Sequence, residues 1–86
     1  MSATLDGELS FARVAHWLGR ADALSAGPTL DLSQVTRADS AGLALLLELT
    51  RRARAQGREL HLVAPPPQLL QLAGFFGLDG ILHFAA

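Results

Sequence analysis

Residues 31–43 read DLSQVTRADSAGL, and this stretch decides the fold. Just before and into it, Thr29–Ser33 alternates polar and apolar residues, which predicts a half-buried strand. After a polar turn, helical spacing of apolar residues runs from Ala41 to about Gln56 and is ended by Gly57. Ser40 is predicted to be the N-cap of this helix, because a serine hydroxyl accepts hydrogen bonds from first-turn amides. The stretch therefore predicts a strand, a turn and the longest helix of the chain.

A strand and a helix are predicted before this stretch. Ala3–Leu9 is predicted to be a short strand, and Ser10 is predicted to cap a helix from Phe11 to about Leu24. Trp17 is expected at the flank of this helix. The helical period predicts a core face made of Phe11, Val14, Leu18 and Ala21.

The same alternation continues after the central helix. Glu59–Ala64 is predicted to be a strand, and the next helix is predicted from Pro67 to about Phe76. Ile81–Phe84 is predicted to be a last strand. The order βαβαβαβ with short connections predicts an α/β fold with neighbouring parallel strands. We expect one domain over residues 1–86, because 86 residues leave little room for a second core.

The composition limits the classes of function. Half of the residues are hydrophobic, the net charge is −1 and there is no cysteine. The charge predicts no general surface for nucleic acid or anionic lipid, and the absence of cysteine excludes disulfides and fits a reducing compartment. Met1–Leu9 has no apolar signal-peptide core, and no run approaches the roughly 20 apolar residues of a membrane span. These features predict a cytoplasmic protein with no direct membrane insertion.

Catalytic and metal-binding motifs are not apparent in the sequence. No P-loop occurs, and the three histidines lack the spacing of metal ligands. A Ser-His-Asp triad can be written from Ser40, a histidine and Asp39, but no pattern places these residues together. We therefore predict that the chain is not an enzyme and has no cofactor or metal site.

The basic end of the central helix has a structural interpretation. Arg51, Arg52 and Arg54 lie where cations complement the negative end of a helix. Glu48 precedes Arg52 by four residues and is predicted to pair with it. These charges do not predict nucleic-acid binding.

The central helix has more apolar residues than a core face needs. Its helical period assigns the core to Leu43, Leu46, Leu49, Thr50 and Ala53. The apolar residues off the centre of that face are Ala41, Ala44, Leu45 and Leu47. They indicate either a wide buried stripe or a docking surface centred on Ser40, which Leu70 and Phe75 of the next helix would extend.

The motifs in this order resemble the STAS domain family. Asp31-Leu32-Ser33 matches its strand end, and Asp39-Ser40-Ala41-Gly42-Leu43 matches its D-S/T-x-G-L motif at the start of the second helix. The resemblance extends from Gly7-Glu8-Leu9 to Leu78 and covers nearly the whole chain. It implies a small mixed sheet with helices packed on it.

The resemblance implies an interaction module of one of two classes. In a stand-alone STAS subunit of an Mla-type lipid-asymmetry ABC transporter, the module binds and supports the cytosolic ATPase subunit and lies peripheral to the inner membrane. In an anti-sigma-factor antagonist, a partner anti-sigma-factor kinase phosphorylates the motif serine, which is Ser40 here. The sequence resembles the transporter subunit more. The partner-binding residues expected on this basis are Asp39, Ser40, Ala41, Gly42, Ala44, Leu45 and Leu47.

Overall fold

A computed structural model describes residues 3–85 of the chain. Strands and helices alternate along it, as the sequence predicts. The strands are β1 (Ala3–Leu9), β2 (Thr29–Ala38), β3 (His61–Val63) and β4 (Phe84–Ala85). The helices are α1 (Val14–Leu18), α2 (Ala21–Leu24), α3 (Ser40–Ala55) and α4 (Pro67–Phe75).

The four strands form one sheet in the order β1-β2-β3-β4. All three pairings between these strands are parallel, whereas the resemblance implied a mixed sheet. The pairings are parallel because a helical crossover connects each strand to the next. Such crossovers are right-handed, and each moves one strand further in the same direction, so the helices share one face of the sheet. Contacts of α3 with α1, α2 and α4 agree with a single helical layer. The α/β class is confirmed.

The core between the two layers is built mainly from leucine. The predicted core residues of α3 are all buried, which confirms the helical face assigned from its period. The strands contribute Leu5, Leu30, Leu32 and Leu62, none of which is exposed. Leu69 and Ala73 bury the corresponding face of α4.

The first helix differs from its prediction. Residues 11–13 form a turn, and the helical segment breaks at Gly19 into α1 and α2. A glycine inside a helix costs about 1 kcal/mol relative to alanine, so a continuous helix through Gly19 is disfavoured. As a result Trp17 is buried, whereas Phe11 and Leu18, which were predicted to face the core, are exposed.

Strand lengths also differ from the predictions. β2 continues five residues beyond Ser33, because β1 pairs with it as far as Leu9 and Ala38. β3 is shorter than predicted, and the last strand begins only at Phe84. Pairing with a neighbouring strand, rather than local alternation, therefore sets these limits.

Candidate functional site

The N-terminus of α3 is capped by Asp39, so the prediction that Ser40 is the cap is wrong. Asp39 Oδ1 accepts hydrogen bonds from the backbone N–H groups of Ala41 (2.9 Å) and Gly42 (3.1 Å). Asp39 has an extended backbone, as N-cap residues do, and Ser40 is the first residue of the helix. A carboxylate at this position also complements the positive end of the helix dipole.

The second carboxylate oxygen of Asp39 reaches a distant part of the chain. Asp39 Oδ2 accepts a hydrogen bond from the backbone N–H of Phe11 at 3.1 Å. This bond is the largest cause of a lowered Asp39 pKa, and the Gly42 and Ala41 amides and the nearby Arg37 charge lower the pKa further. Asp39 is therefore ionised in the folded protein at neutral pH, and it links the start of α3 to the turn after β1.

Ser40 is exposed and lies at the start of α3. Its hydroxyl makes no hydrogen bond to any residue in the range 3–85. The side chain is therefore free to contact a partner or to be modified, although it contributes no cap to the helix.

Two residues of the predicted contact set are buried. A Cβ at Gly42 would lie 1.9 Å from the carbonyl oxygen of Leu9, so only glycine lets α3 approach the end of β1 this closely. Leu45 is 2% exposed and packs in the core. Because neither residue reaches the surface, Gly42 and Leu45 drop out of the candidate contact surface. The remaining members are exposed (Ser40 and Ala44) or partly exposed (Asp39, Ala41 and Leu47).

Two adjoining grooves lie between α3 and α4, and both are lined by Ser40 and Phe76. One has a volume of about 290 Å³ and is otherwise lined by Leu43, Ala44, Leu47 and Leu78. The other has a volume of about 570 Å³ and is otherwise lined by Ala38, Asp39, Gln68, Gln71, Leu72 and Phe75. Ser40 therefore stands where two largely apolar grooves meet.

A third groove lies on the other side of α3. It has a volume of about 350 Å³, and its lining combines apolar residues with one ion pair: Val14, Leu18, Ala41, Ala44, Leu45, Glu48 and Arg52. Ala44 thus lies on a ridge with a groove on either side. We call the exposed and partly exposed residues around this ridge the α3 surface. They are Asp39, Ser40, Ala41, Ala44, Leu47, Phe75 and Phe76.

Three phenylalanines have exposed side chains, namely Phe11, Phe75 and Phe76. Phe11 was predicted to face the core, yet it is 81% exposed, and Phe76, near the predicted end of the last helix, is 51% exposed. Phe75, which was predicted to extend the surface, is 83% exposed, and Leu70 is 44% exposed. For Phe76 the neighbouring Gly77 was an available signal, since helical spacing does not hold outside a helix. Phe11 was itself predicted to be the first helical residue, and only the structure places it in a turn before α1.

The charged residues of α3 form ion pairs, and two of them, Glu48 and Arg52, also line the third groove beside Ala41 and Ala44. Glu48 binds Arg51 and Arg52, each at 2.7 Å, which confirms the predicted pair with Arg52. These hydrogen bonds lower the pKa of Glu48 from 4.5 to about 2. Arg52 also contacts Asp22 at 3.0 Å, so the basic end of the helix is matched by acidic neighbours.

The histidines lie on another part of the molecule. The rings of His61 and His83 are 4.4 Å apart, and His83 Nδ1 lies 3.4 Å from Glu59 Oε1. Within residues 3–85, no group of three or more His, Asp or Glu side chains is placed to hold a metal ion. In the same range, no helix has the length and apolar character needed to cross a bilayer.

Comparisons with known proteins agree on one family. The family model for the MlaB STAS domain matches residues 3–83. The intermembrane phospholipid transport system binding protein MlaB of Haemophilus influenzae is 42% identical over 93% of this chain and 84% of the relative. The protein of the same name from Escherichia coli K12 is 37% identical over 72% of this chain and 64% of the relative.

A solved structure has the same fold. It is the anti-sigma-factor antagonist SpoIIAA in its unphosphorylated form, with a TM-score of 0.72 over 96% of this chain and 76% of that chain. The two sequences are 24% identical, so the likeness is one of fold. Together with the family match over residues 3–83, these findings show that the chain belongs to the MlaB STAS domain family.

Proposed function

We propose that this chain is a non-enzymatic interaction subunit of an intermembrane phospholipid transport system, and that it binds the cytosolic ATPase subunit of that ABC transporter. Its relatives carry the name of a binding protein of such a system. The observation that carries the proposal is the exposed α3 surface, where apolar grooves flank Ser40 and Ala44. In this role the chain is cytoplasmic and is held at the inner membrane through the complex.

The α3 surface has the properties of a protein-binding site. Aromatic side chains contribute much of the binding energy of protein interfaces, and Phe75 and Phe76 are exposed beside the grooves. The small side chains of Ser40, Ala41 and Ala44 allow a partner to approach the helix backbone closely. Burial of this surface by the ATPase subunit would remove apolar area from water at roughly 25 cal/mol per Å².

A non-enzymatic role fits the surroundings of Ser40. A nucleophilic serine needs a base within hydrogen-bonding reach, and in residues 3–85 no side chain bonds the Ser40 hydroxyl. The Asp39 carboxylate next to it accepts three backbone N–H groups. Asp39 therefore serves the backbone and is not placed to activate Ser40.

Phosphorylation of Ser40, as in an anti-sigma-factor antagonist, remains the alternative predicted from sequence. Ser40 is exposed enough for a kinase to reach it. However, Asp39 already occupies the first-turn amides that would otherwise bind a phosphate. A phosphate on Ser40 would therefore lie beside a carboxylate, which makes this site less favourable for a resident phosphate than an uncapped helix start.

Ala44→Glu tests the proposal. In the free domain the new carboxylate stays in water, so the free energy of unfolding should change by about 0.5 kcal/mol or less. In the complex it would be buried without a counter-ion, which costs several kcal/mol and should weaken binding by at least about 100-fold. Ala55→Glu is the matched control, because Ala55 is exposed at the other end of the same helix.

The measurement is the affinity of each variant for the purified ATPase subunit of the same transport system, together with a thermal melt of each variant alone. Loss of binding by Ala44→Glu with a normal melt, and normal binding by Ala55→Glu, are expected. Equal binding by both variants would show that the α3 surface is not the contact site. Failure of the wild-type chain to bind would contradict the ATPase partner itself.

A further inference from the structure

Phe11 is an exposed aromatic side chain whose backbone is fixed by a distant residue. Its side chain is 81% exposed and lies in the turn between β1 and α1. Its N–H group donates to Asp39 Oδ2 at 3.1 Å, across 28 positions of the sequence. The phenyl ring is therefore presented to solvent from a backbone position that is tied to the N-terminus of α3.

Most of the phenylalanine in this small chain lies outside the core. Three of the four phenylalanines are exposed, namely Phe11, Phe75 and Phe76, whereas leucine dominates the buried residues. Single exposed apolar residues are common, but these three are all connected to the start of α3. Phe75 and Phe76 line a groove with Asp39 and Ser40, and Phe11 bonds Asp39 from outside that groove.

Asp39 connects the Phe11 turn to the groove that Phe75 and Phe76 line. Its Oδ1 caps α3 and its Oδ2 holds the Phe11 backbone, so the carboxylate accepts three backbone N–H groups in total. A carboxylate bonded in this way loses fewer water contacts when a partner covers it than an unpaired one would. The neighbourhood of Asp39 is therefore suited to an apolar protein surface despite its charge.

We infer that Phe11 is a contact residue for the ATPase subunit and that Asp39 is a positioning residue, which holds the Phe11 turn beside the α3 surface. This inference rests on the proposed function and extends its contact surface beyond α3 and α4 to the turn after β1. The partner chemistry that fits is an apolar pocket able to take a phenyl ring, next to a surface that covers the grooves beside Ser40.

Phe11→Ala tests the contact. Truncation of an aromatic anchor at the centre of an interface typically weakens binding by about tenfold or more. Because Phe11 is exposed, its removal should leave the thermal melt of the free chain unchanged. Ile81→Ala is the matched control, since Ile81 is 45% exposed and lies near the C-terminal end of α3, where Arg54 donates to its carbonyl. This variant should bind the ATPase subunit like the wild type.

Asp39→Asn separates the cap of α3 from the position of Phe11. An asparagine keeps one carbonyl oxygen for the Ala41 and Gly42 amides, but its NH₂ group cannot accept the Phe11 N–H. Asp39→Asn should therefore weaken ATPase binding, while asparagine continues to cap the helix. In the double variant with Phe11→Ala, the loss in affinity should be less than the product of the two single losses, because both changes remove the same contact.

The outcomes distinguish the inference from the proposed function. If the wild-type chain binds the ATPase subunit and Phe11→Ala binds equally well, the role of Phe11 is wrong and the proposed function stands. Independent, multiplicative losses in the double variant would show that Asp39 does not act through Phe11. If the wild-type chain instead self-associates in light scattering and Phe11→Ala abolishes this, the occupant is a second copy and the inference is overturned. Absence of any binding by the wild-type chain would overturn both proposals.

Discussion

Gly42 shows how one missing side chain sets the position of a whole helix. Leu9 ends β1, and its carbonyl accepts the N–H of Asp39 at 3.2 Å directly before α3 begins. The backbone of Gly42 lies against the same carbonyl, in space that a Cβ would need. The absence of a Cβ therefore lets the first turn of α3 rest on the end of β1, which places Ser40 and Ala44 at the surface.

Gly42→Ala should destabilise the protein although alanine is the better helix former. Helix propensity alone favours alanine by about 1 kcal/mol, but the forced shift at Leu9 should outweigh it and leave a net loss of about 1–3 kcal/mol. Ser40→Ala is the control and should change stability by about 0.5 kcal/mol or less, because its hydroxyl caps nothing. Urea unfolding of the three proteins measures both values. A neutral Gly42→Ala, or a Ser40→Ala as damaging as a lost cap, would contradict this account of the helix start.

The two ends of α3 are determined by different chemistry. Asp39 satisfies first-turn amides at the N-terminus, as described above. At the C-terminus Gly57 has a φ of +72°, its N–H bonds the Arg54 carbonyl, and the Arg58 N–H bonds the Ala53 carbonyl. These two hydrogen bonds form a Schellman motif, which favours glycine because other residues rarely adopt a positive φ. α4 ends in the same way at Gly77, where the Leu78 N–H bonds the Ala73 carbonyl at 2.8 Å.

Gly57→Ala should lower the free energy of unfolding by about 1 kcal/mol, since alanine is strained at a positive φ. Among residues 3–85, apart from Gly57 and its chain neighbours, no atom lies within 4 Å of the position of the new Cβ, so backbone conformation determines the effect. Gly74→Ala is the opposite control, because Gly74 lies within α4, does not have a positive φ and has equally open surroundings. That variant should gain roughly 0.5–1 kcal/mol. Chemical denaturation should give opposite signs, and equal signs would refute the conformational explanation.

At the scale of the whole molecule, charged side chains join elements that are distant in sequence. Asp39 links α3 to the turn after β1, and Glu59 bonds Arg54 of α3 and His83 before β4. Arg58 connects the turn after α3 to the carbonyls of Ser25 and Ala26. These contacts hold the helical layer and the strand ends together at the edges of the core.

The same carboxylates predict how stability depends on pH. The pKa of Glu48 is lowered to about 2 by Arg51 and Arg52, and the pKa of Glu59 is lowered by Arg54 and then His83. Backbone N–H groups lower the pKa of Asp39 and Asp31, through Phe11 and Ser33 respectively. Each pKa is lower in the folded chain than in the unfolded chain, so the unfolded chain binds protons first as the pH falls. The stabilisation should be complete above about pH 5 and should be lost progressively toward pH 2.

Thermal melts between pH 7 and pH 2 test this dependence. Glu48→Gln should flatten the decline in melting temperature between pH 5 and pH 2, because a carboxylate whose pKa is lowered to about 2 in the folded chain no longer titrates. High salt should reduce the difference between the wild type and this variant, since Arg51 is exposed and both Glu48 and Arg52 are partly exposed to solvent. An unchanged acid profile in Glu48→Gln would show that the ion pairs of α3 do not contribute to it.

The sequence by itself determined the features that depend on local pattern. The period of apolar residues in α3 fixed which of its sides is buried, and Gly57 and Pro67 marked a helix end and a helix start. Alternation of strand and helix patterns gave the α/β class, and the ordered motifs from Gly7 to Leu78 gave the STAS family. These features are local because helix and strand periods, caps and turns act over a few residues.

Only the tertiary structure decided which residues form the α3 surface. The N-cap is Asp39 rather than Ser40, and Asp39 also accepts a hydrogen bond from the Phe11 amide 28 residues away. Gly42 is buried because α3 lies against the end of β1, and Leu45 is buried in the core. Phe11 and Phe76 are exposed and lie just outside helices. The limits of β2 and β3 were likewise decided by pairing with neighbouring strands across the sheet. Each of these outcomes depends on which distant segments pack together, and the local periodicity of a sequence does not contain that information.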